Sequence, residues 1–214
     1  MRTFLLIAAI GALLASPPAT AAPSLIGHYR LAGGPDVVGE LEITADHRFR
    51  YGLAAGALDE QAAGRWVEQG AKVCLFSEPR PVPPAFTLGP RGAPARGSPT
   101  LLVKWPNGRG VALVDFVIGF DRGEVLSGYT QDYGWTMPRG DHRAPRWIEL
   151  ALPMHGFKSP RLSLDGKSRG TINVLLTPND LGMVDFQGAC LEAVDGRFVL
   201  HRDRGDMRFV RSVG

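Results

Sequence analysis

The sequence predicts an all-β protein, and three observations carry the prediction. After an opening apolar run, nearly every ordered-looking segment alternates apolar and polar residues with period two. Gly, Asn and Asp turn signals separate those segments. No stretch beyond that opening run sustains the 3.6-residue repeat of an amphipathic helix.

The opening run is itself informative. The chain begins MRTFLLIAAIGALLASPPATAAPSL, with one early cation at Arg2, an apolar stretch over residues 4–14, and then small residues and prolines. That order is expected of a Sec-type signal peptide over residues 1–21, with Ala19 and Ala21 at an A-x-A site and a mature start near Ala22. The stretch is shorter than the roughly 20 residues that a spanning helix needs. No cysteine stands at the junction to take a lipid, so the expected product is a soluble protein of the periplasm or exterior.

Each β element can be read in turn. Glu40-Leu41-Glu42-Ile43-Thr44 puts Leu41 and Ile43 on one face, and after a turn at Asp46-His47 the residues Phe49, Tyr51 and Leu53 repeat the alternation. Gly64-Arg65-Trp66-Val67, a turn at Gln69-Gly70 and residues 72–77 supply the next hairpin, with Trp66 as its inward plug. A first unit thus covers residues 24–77. Residues 79–97 are rich in Pro and Gly, lack the amide donors of a regular ladder, and read as a linker.

Beyond it, residues 100–103 and 111–120 flank Trp105-Pro106-Asn107-Gly108-Arg109-Gly110, where Asn-Gly signals a hairpin. The second of these strands is apolar on both faces, as a buried strand would be. Residues 125–129, 147–152, 161–164 and 171–176 complete about six strands of a sandwich. The tail resumes the opening rhythm, with strands over 190–194, 197–201 and 207–210. Four opening strands are too few to close a barrel, whereas with three more they approach the number at which small barrels close. The expected organisation is a discontinuous barrel or sheet from residues 22–97 and 179–214, interrupted by a sandwich over 98–178.

Two resemblances accompany this reading. The stretch GELEITADHRFRYGLAAGALDEQAAGRWVEQGAKVCLFSE, with its Gly64-Arg65-Trp66, resembles uncharacterised exported bacterial β-barrel proteins of lipocalin-like character. NGRGVALVDFVIGFDRGEVLSGYTQDYGWT is similar to prealbumin-like sandwiches of the carboxypeptidase-regulatory or Cna-B type. The second resemblance implies a non-catalytic module. Together they imply a lipocalin-like barrel or sheet with an inserted prealbumin-like β-sandwich.

Composition excludes some partners. Without Arg2 the 24 Lys and Arg become 23, against 21 Asp and Glu, for a net charge of +2. Basic residues alternate with acids and form no stripe, so nucleic acid is not an expected partner. The two cysteines, Cys74 and Cys190, permit one bridge in an oxidising compartment. Alternation points both thiols away from the core face.

Chemistry-bearing patterns are few. No two of the histidines His28, His47, His142, His155 and His201 stand at zinc-site spacing, and no cofactor is expected. Gly166-Lys167-Ser168 lacks the earlier glycine of a phosphate loop, since Arg161 stands there. Asp141 beside His142, between Arg139 and Arg143, and His201 with Asp203 are the available acid–base couples, each read more simply as a solvated surface pair. Arg204-Gly205-Asp206 reads as a hairpin turn. Asp115 shares a face with Val111, Leu113 and Val117, which predicts a buried carboxylate in need of a partner.

The best binding candidate is the loop that carries Tyr129, Gln131, Asp132, Tyr133 and Trp135, where aromatics interleave with polar groups as in surfaces that bind glycans, peptides or proteins. The same residues would serve turn chemistry if Tyr129 and Trp135 fold back onto the sandwich. The functional expectation is a non-catalytic envelope protein that binds a partner protein or a cell-surface polymer. One alternative is a carrier holding a small apolar molecule among Leu41, Ile43, Phe49, Tyr51 and Trp66. Another is an enzyme with a site at the domain seam from Asp115, His142 or His201.

Overall fold

The computed structural model describes residues 24–92, 100–166 and 170–212. The expected signal peptide lies outside them, as do Lys167 and Ser168. Among the described residues the regular structure is strand, apart from one 3₁₀ turn at Pro153–His155. No helix there is long and apolar enough to cross a membrane.

The first strands are Gly27–Leu31 (β1), Val37–Ile43 (β2), Arg48–Ala55 (β3), Leu58–Gln69 (β4) and Lys72–Ser77 (β5). The middle of the chain supplies Ala85–Leu88 (β6), Leu101–Lys104 (β7), Asp115–Phe120 (β8), Leu126–Tyr129 (β9), Pro145–Leu152 (β10), Phe157–Lys158 (β11), Leu162–Ser163 (β12) and Ile172–Thr177 (β13). The tail adds Gln187–Val194 (β14), Arg197–His201 (β15) and Met207–Arg211 (β16).

The opening five strands and the closing three form a closed barrel in the order β1-β16-β15-β14-β5-β4-β3-β2, with every neighbouring pair antiparallel. With the middle of the chain left out, that order is a sequential up-and-down meander. Closure leaves the barrel no free edge.

Alternation fills its interior. Leu41, Ile43, Phe49, Tyr51, Trp66, Leu75, Leu200 and Phe209 are 4% exposed or less and belong to one apolar cluster. Each such side chain contributes about 1.5–3 kcal/mol on burial. The five residues named for a carrier's cavity are thus packed against one another.

Gly64 makes room for this packing, because a Cβ there would run into the Phe76 carbonyl and the Phe49 ring. Two residues on, the Trp66 indole donates to the Thr44 carbonyl at 2.9 Å and stacks near His47.

Cys74 and Cys190 are directly opposite across β5 and β14, their Cα atoms 4.0 Å apart, and they form a disulfide. Neither belongs to the barrel's apolar cluster, as the alternation predicts. The bridge joins the last barrel strand before the insert to the first strand after it.

The middle strands build two further sheets. One is β6-β13-β7, with β13 and β7 parallel; the other runs β11-β10-β8-β9, with β12 also on β10. Phe86, Val103, Ile172 and Val174 from the first share a separate core with Phe116, Ile118, Ile148 and Leu150 from the second.

Three sequence expectations need correction. The segment read as a linker, 79–97, contains β6, which pairs with β13. The four residues Ala-Phe-Thr-Leu fall between prolines, and as an edge strand they tolerate them. The stretch before β6 is also fixed: Ser77 N–H donates to the Phe186 carbonyl, Val82 N–H to Asp180, and Asn179 Nδ2 to the Pro83 carbonyl.

The Asn-Gly turn does reverse the chain, with Trp105 N–H donating to the Arg109 carbonyl at 2.8 Å. Its two arms make only one bridge, Lys104 with Gly110, before the second arm leaves for the other sheet. That second strand starts at Asp115, not at Val111. Leu113 has φ 59° and breaks the alternation, so Val114, Phe116 and Ile118 face the core. Asp115 is exposed rather than buried.

Candidate functional site

The register of the insert's larger sheet places Tyr129 of β9 directly opposite Asp115 of β8. Because Phe116 and Ile118 point into the core, Asp115 and Val117 point out, and so do Ser127 and Tyr129. In β10, Ile148 and Leu150 are buried, which turns Glu149 and Ala151 to the same outer face.

Two rows result. Tyr129, Asp115, Ala151 and Lys158 cross the sheet in one, and Ser127, Val117 and Glu149 in the next. They line an open depression of about 420 Å³.

Its chemistry is mixed. Tyr129 is 55% exposed, the smaller side chains of Val117, Ser127 and Ala151 line the depression with it, and so do charges of both signs, Asp115, Glu149 and Lys158. Glu149 takes Lys158 Nζ at 2.8 Å and Arg161 Nε at 3.0 Å. Hydrogen bonds from Lys158 and then Arg161 hold its carboxyl below the ordinary carboxylate range. The Arg161 guanidinium also lies 3.8 Å from the Trp147 ring centroid. An aromatic plate flanked by fixed donors and acceptors can stack on the apolar face of a ring-shaped polar ligand and hydrogen-bond its edge.

Of the residues the sequence singled out, Tyr129 is on this face. Thr130 anchors the following loop: fully buried, it donates through Oγ1 to the Val111 carbonyl at 2.7 Å. Gln131 pairs with Gly134 to close a tight turn, and Asp132 and Tyr133 form its exposed tip, Tyr133 at 75%. Gly110 permits the approach, since a Cβ there would overlap the Asp132 carbonyl. Trp135 folds back, bridging to Leu101 and resting 4.8 Å from the Phe116 ring.

Sequence reasoning missed Ser127, Glu149, Ala151 and Lys158. The alternation of residues 147–152 marks an outer face, but nothing in it says which strand lies beside which.

The acid–base couples resolve differently. Asp141 pairs with Arg143 at 2.7 Å, and those hydrogen bonds pull its carboxyl down to about 2. His142 beside it is exposed. His201 does not pair with Asp203. Its Nδ1 meets Asp206 and its Nε2 meets Glu192, each at 2.8 Å, while Lys72 Nζ holds the other Glu192 oxygen at 2.6 Å. The turn after β15, closed by Gly205 N–H on the Arg202 carbonyl, leaves Asp203 exposed and brings Asp206 back. With both ring nitrogens engaged, His201 has none free for a substrate proton.

At the barrel's mouth a second charged group is buried. Glu60, on the inward row of β4, is 3% exposed. It accepts from Arg202 Nη1 and Arg204 Nη1, each at 2.8 Å, and from the Tyr51 hydroxyl at 3.1 Å. Burial pushes the Tyr51 phenol well above its ordinary value. Arg204 Nη2 reaches the Met154 carbonyl of the insert at 3.0 Å. Both charged ends of Arg204-Gly205-Asp206 are therefore committed inside the molecule.

Asp115, His142 and His201 thus stand at three separate places. Among the described residues no group of three His, Cys, Asp or Glu could hold a metal ion. No protein-family model, curated protein or solved structure matches this chain.

Proposed function

We propose that this is an exported, non-catalytic envelope protein that binds a cell-surface polysaccharide through the outer face of the insert's larger sheet. The observation that carries the reading is the pairing of an open Tyr129 ring with Asp115 on a depression rimmed by Glu149 and Lys158. Tyr129 stacks on a sugar ring, and Asp115 and Lys158 bond its hydroxyls. The polar tip at Asp132 and Tyr133 extends the contact along the polymer.

The wider assignment rests on compatible features. A disulfide fits an oxidising compartment, and export through the segment 1–21 would deliver the chain to one. The up-and-down barrel order suits a lipocalin-like unit, and the two-sheet insert suits a prealbumin-like one. Their separate cores support treating them as two domains.

The test is retention on purified cell-wall polysaccharide coupled to beads. Wild type should bind saturably, and Tyr129→Ala should weaken retention by about tenfold or more. Equal retention of Tyr129→Ala and wild type would overturn the reading. Mass spectrometry of the exported protein should find the chain starting near Ala22, and an intact Met1 would refute export by cleavage.

A further inference from the structure

Three charged side chains line the depression on the insert's larger sheet, and only one of them is uncommitted. Glu149 and Lys158 hold each other at 2.8 Å, whereas Asp115 makes no hydrogen bond or ion pair among the described residues. Glu149 has both carboxylate oxygens engaged, Oε2 by Lys158 and Oε1 by Arg161.

Counting Arg161, which stands beyond the lining, two cations and two carboxylates balance in number. They do not balance in place. Both cations are drawn to Glu149, and Lys158 is separated from Asp115 by Ala151, two strand spacings or roughly 10 Å across the sheet. The Asp115 end of the depression therefore keeps an exposed negative charge with no cation set against it.

The neighbouring aromatic has the same preference. Tyr129 is directly opposite Asp115 across β8 and β9, so their Cβ atoms lie within about 5.5 Å of each other. The face of an exposed tyrosine attracts cations, and a carboxylate bonds an ammonium more strongly than it bonds a neutral hydroxyl. The two side chains together select for positive charge.

We propose that the polysaccharide bound here carries free amino groups, and that Asp115 and Tyr129 receive one of them in place of a hydroxyl. This rests on the polysaccharide reading and names the class of polymer: amino sugars left at least partly unacylated. The sugar ring stacks on Tyr129 with its amino group turned toward Asp115. Lys158 has donors to spare beyond Glu149 and serves a neighbouring hydroxyl.

The test uses the mature chain on beads of purified cell-wall polysaccharide, before and after N-acetylation with acetic anhydride. The treatment turns each free amine into a neutral amide. At about pH 5.5, where amines are protonated and Asp115 is ionised, wild-type retention should fall about tenfold on the acetylated beads. Asp115→Asn keeps the shape of an exposed side chain, and should bind both kinds of bead equally and only as well as wild type binds the acetylated ones.

Equal wild-type retention before and after acetylation would overturn the amino-sugar proposal and leave the polysaccharide reading in place. No retention on either bead would overturn both. A soluble glucosamine hexamer should release the bound protein at about a tenth of the concentration that hexalysine needs, because only the sugar offers a ring to stack. Release by hexalysine at the same concentration would assign the face to a basic peptide and overturn the proposal.

Discussion

His201 shows how one ring can tie two strands and the turn after them together. Only the protonated imidazole donates to both Asp206 and Glu192, so the two carboxylates raise its pKa above the ordinary 6.5, with Asp206 the larger cause. A raised folded value means that the stabilisation is full below the unfolded pKa and is lost as pH rises through the folded one. Glu192 works in the opposite sense. Lys72 first, and His201 second, hold its carboxyl below 4.5, so its share is present above that value and lost as pH falls through the depressed one. The clip is complete between those limits. The melting-temperature difference between wild type and His201→Gln should accordingly be larger near about pH 5.5 than near about pH 9. A difference indifferent to pH would mean that the ring is not charged in the clip.

Glu60 makes a contrasting residue-scale case, because it and its partner Arg202 are both largely shielded from water. Glu60→Ala would leave Arg202 buried without its counter-charge, and breaking a buried pair from one side costs about 3–5 kcal/mol. Arg204, 43% exposed, recovers some of its loss from water, so the lower end of that range is expected in urea denaturation.

At the scale of the element, alternation was legible and adjacency was not. The rows Leu41–Ile43 and Phe49–Tyr51–Leu53 could be read directly, because a half-buried strand must present every second residue to its core. Asp115 misled because the residues before it carry the same period but are not strand. One left-handed residue, Leu113, moves the frame by a position, and a one-residue slip exchanges the two faces of a strand. Tyr129 and Asp115 each drew notice from the sequence, but the face they share with Glu149 and Lys158 depends on β8 lying between β9 and β10, which no local pattern encodes. The Pro-rich stretch hid β6 for a related reason: prolines argue against a central strand but not against four residues at an edge.

Gly64 gives the element-scale prediction. The Gly-x-Trp pattern places a glycine where β4 crosses the Phe49 ring and the Phe76 carbonyl, so Gly64→Ala should overpack the barrel by about 1–3 kcal/mol. The urea midpoint should fall while the Phe116–Trp135 contact in the insert keeps its near-ultraviolet signal. Loss of both signals together would mean that the two cores are not independent.

Across the whole molecule, two cores and one covalent bridge divide the stability. The bridge spans 116 residues of sequence, for which chain entropy alone would predict about 4–5 kcal/mol. The insert shortens that loop in effect, because Ala85 at its entry is already paired with Thr177 at its exit. If the insert stays folded while the barrel opens, the bridge closes only the segments between itself and that pairing, a loop of about 25 residues rather than the full separation. Reduction of the disulfide should therefore lower the barrel's stability by about 3–4 kcal/mol, less than the sequence separation suggests, and leave the insert's transition in place. Denaturant titrations with and without reductant, followed separately by barrel and insert probes, measure this directly.

The paired chains between barrel and insert have a mechanical consequence. Any polymer that pulled on the insert would load two adjacent strands of backbone at one end, the geometry in which hydrogen bonds break in succession at low force. Val82 with Asp180 would give way before Ser77 with Phe186. The rupture would then arrive at Cys74 and Cys190, and go no further. The neck would act as a short extensible fuse with a covalent stop, letting the insert follow a moving surface while the barrel behind it keeps its shape.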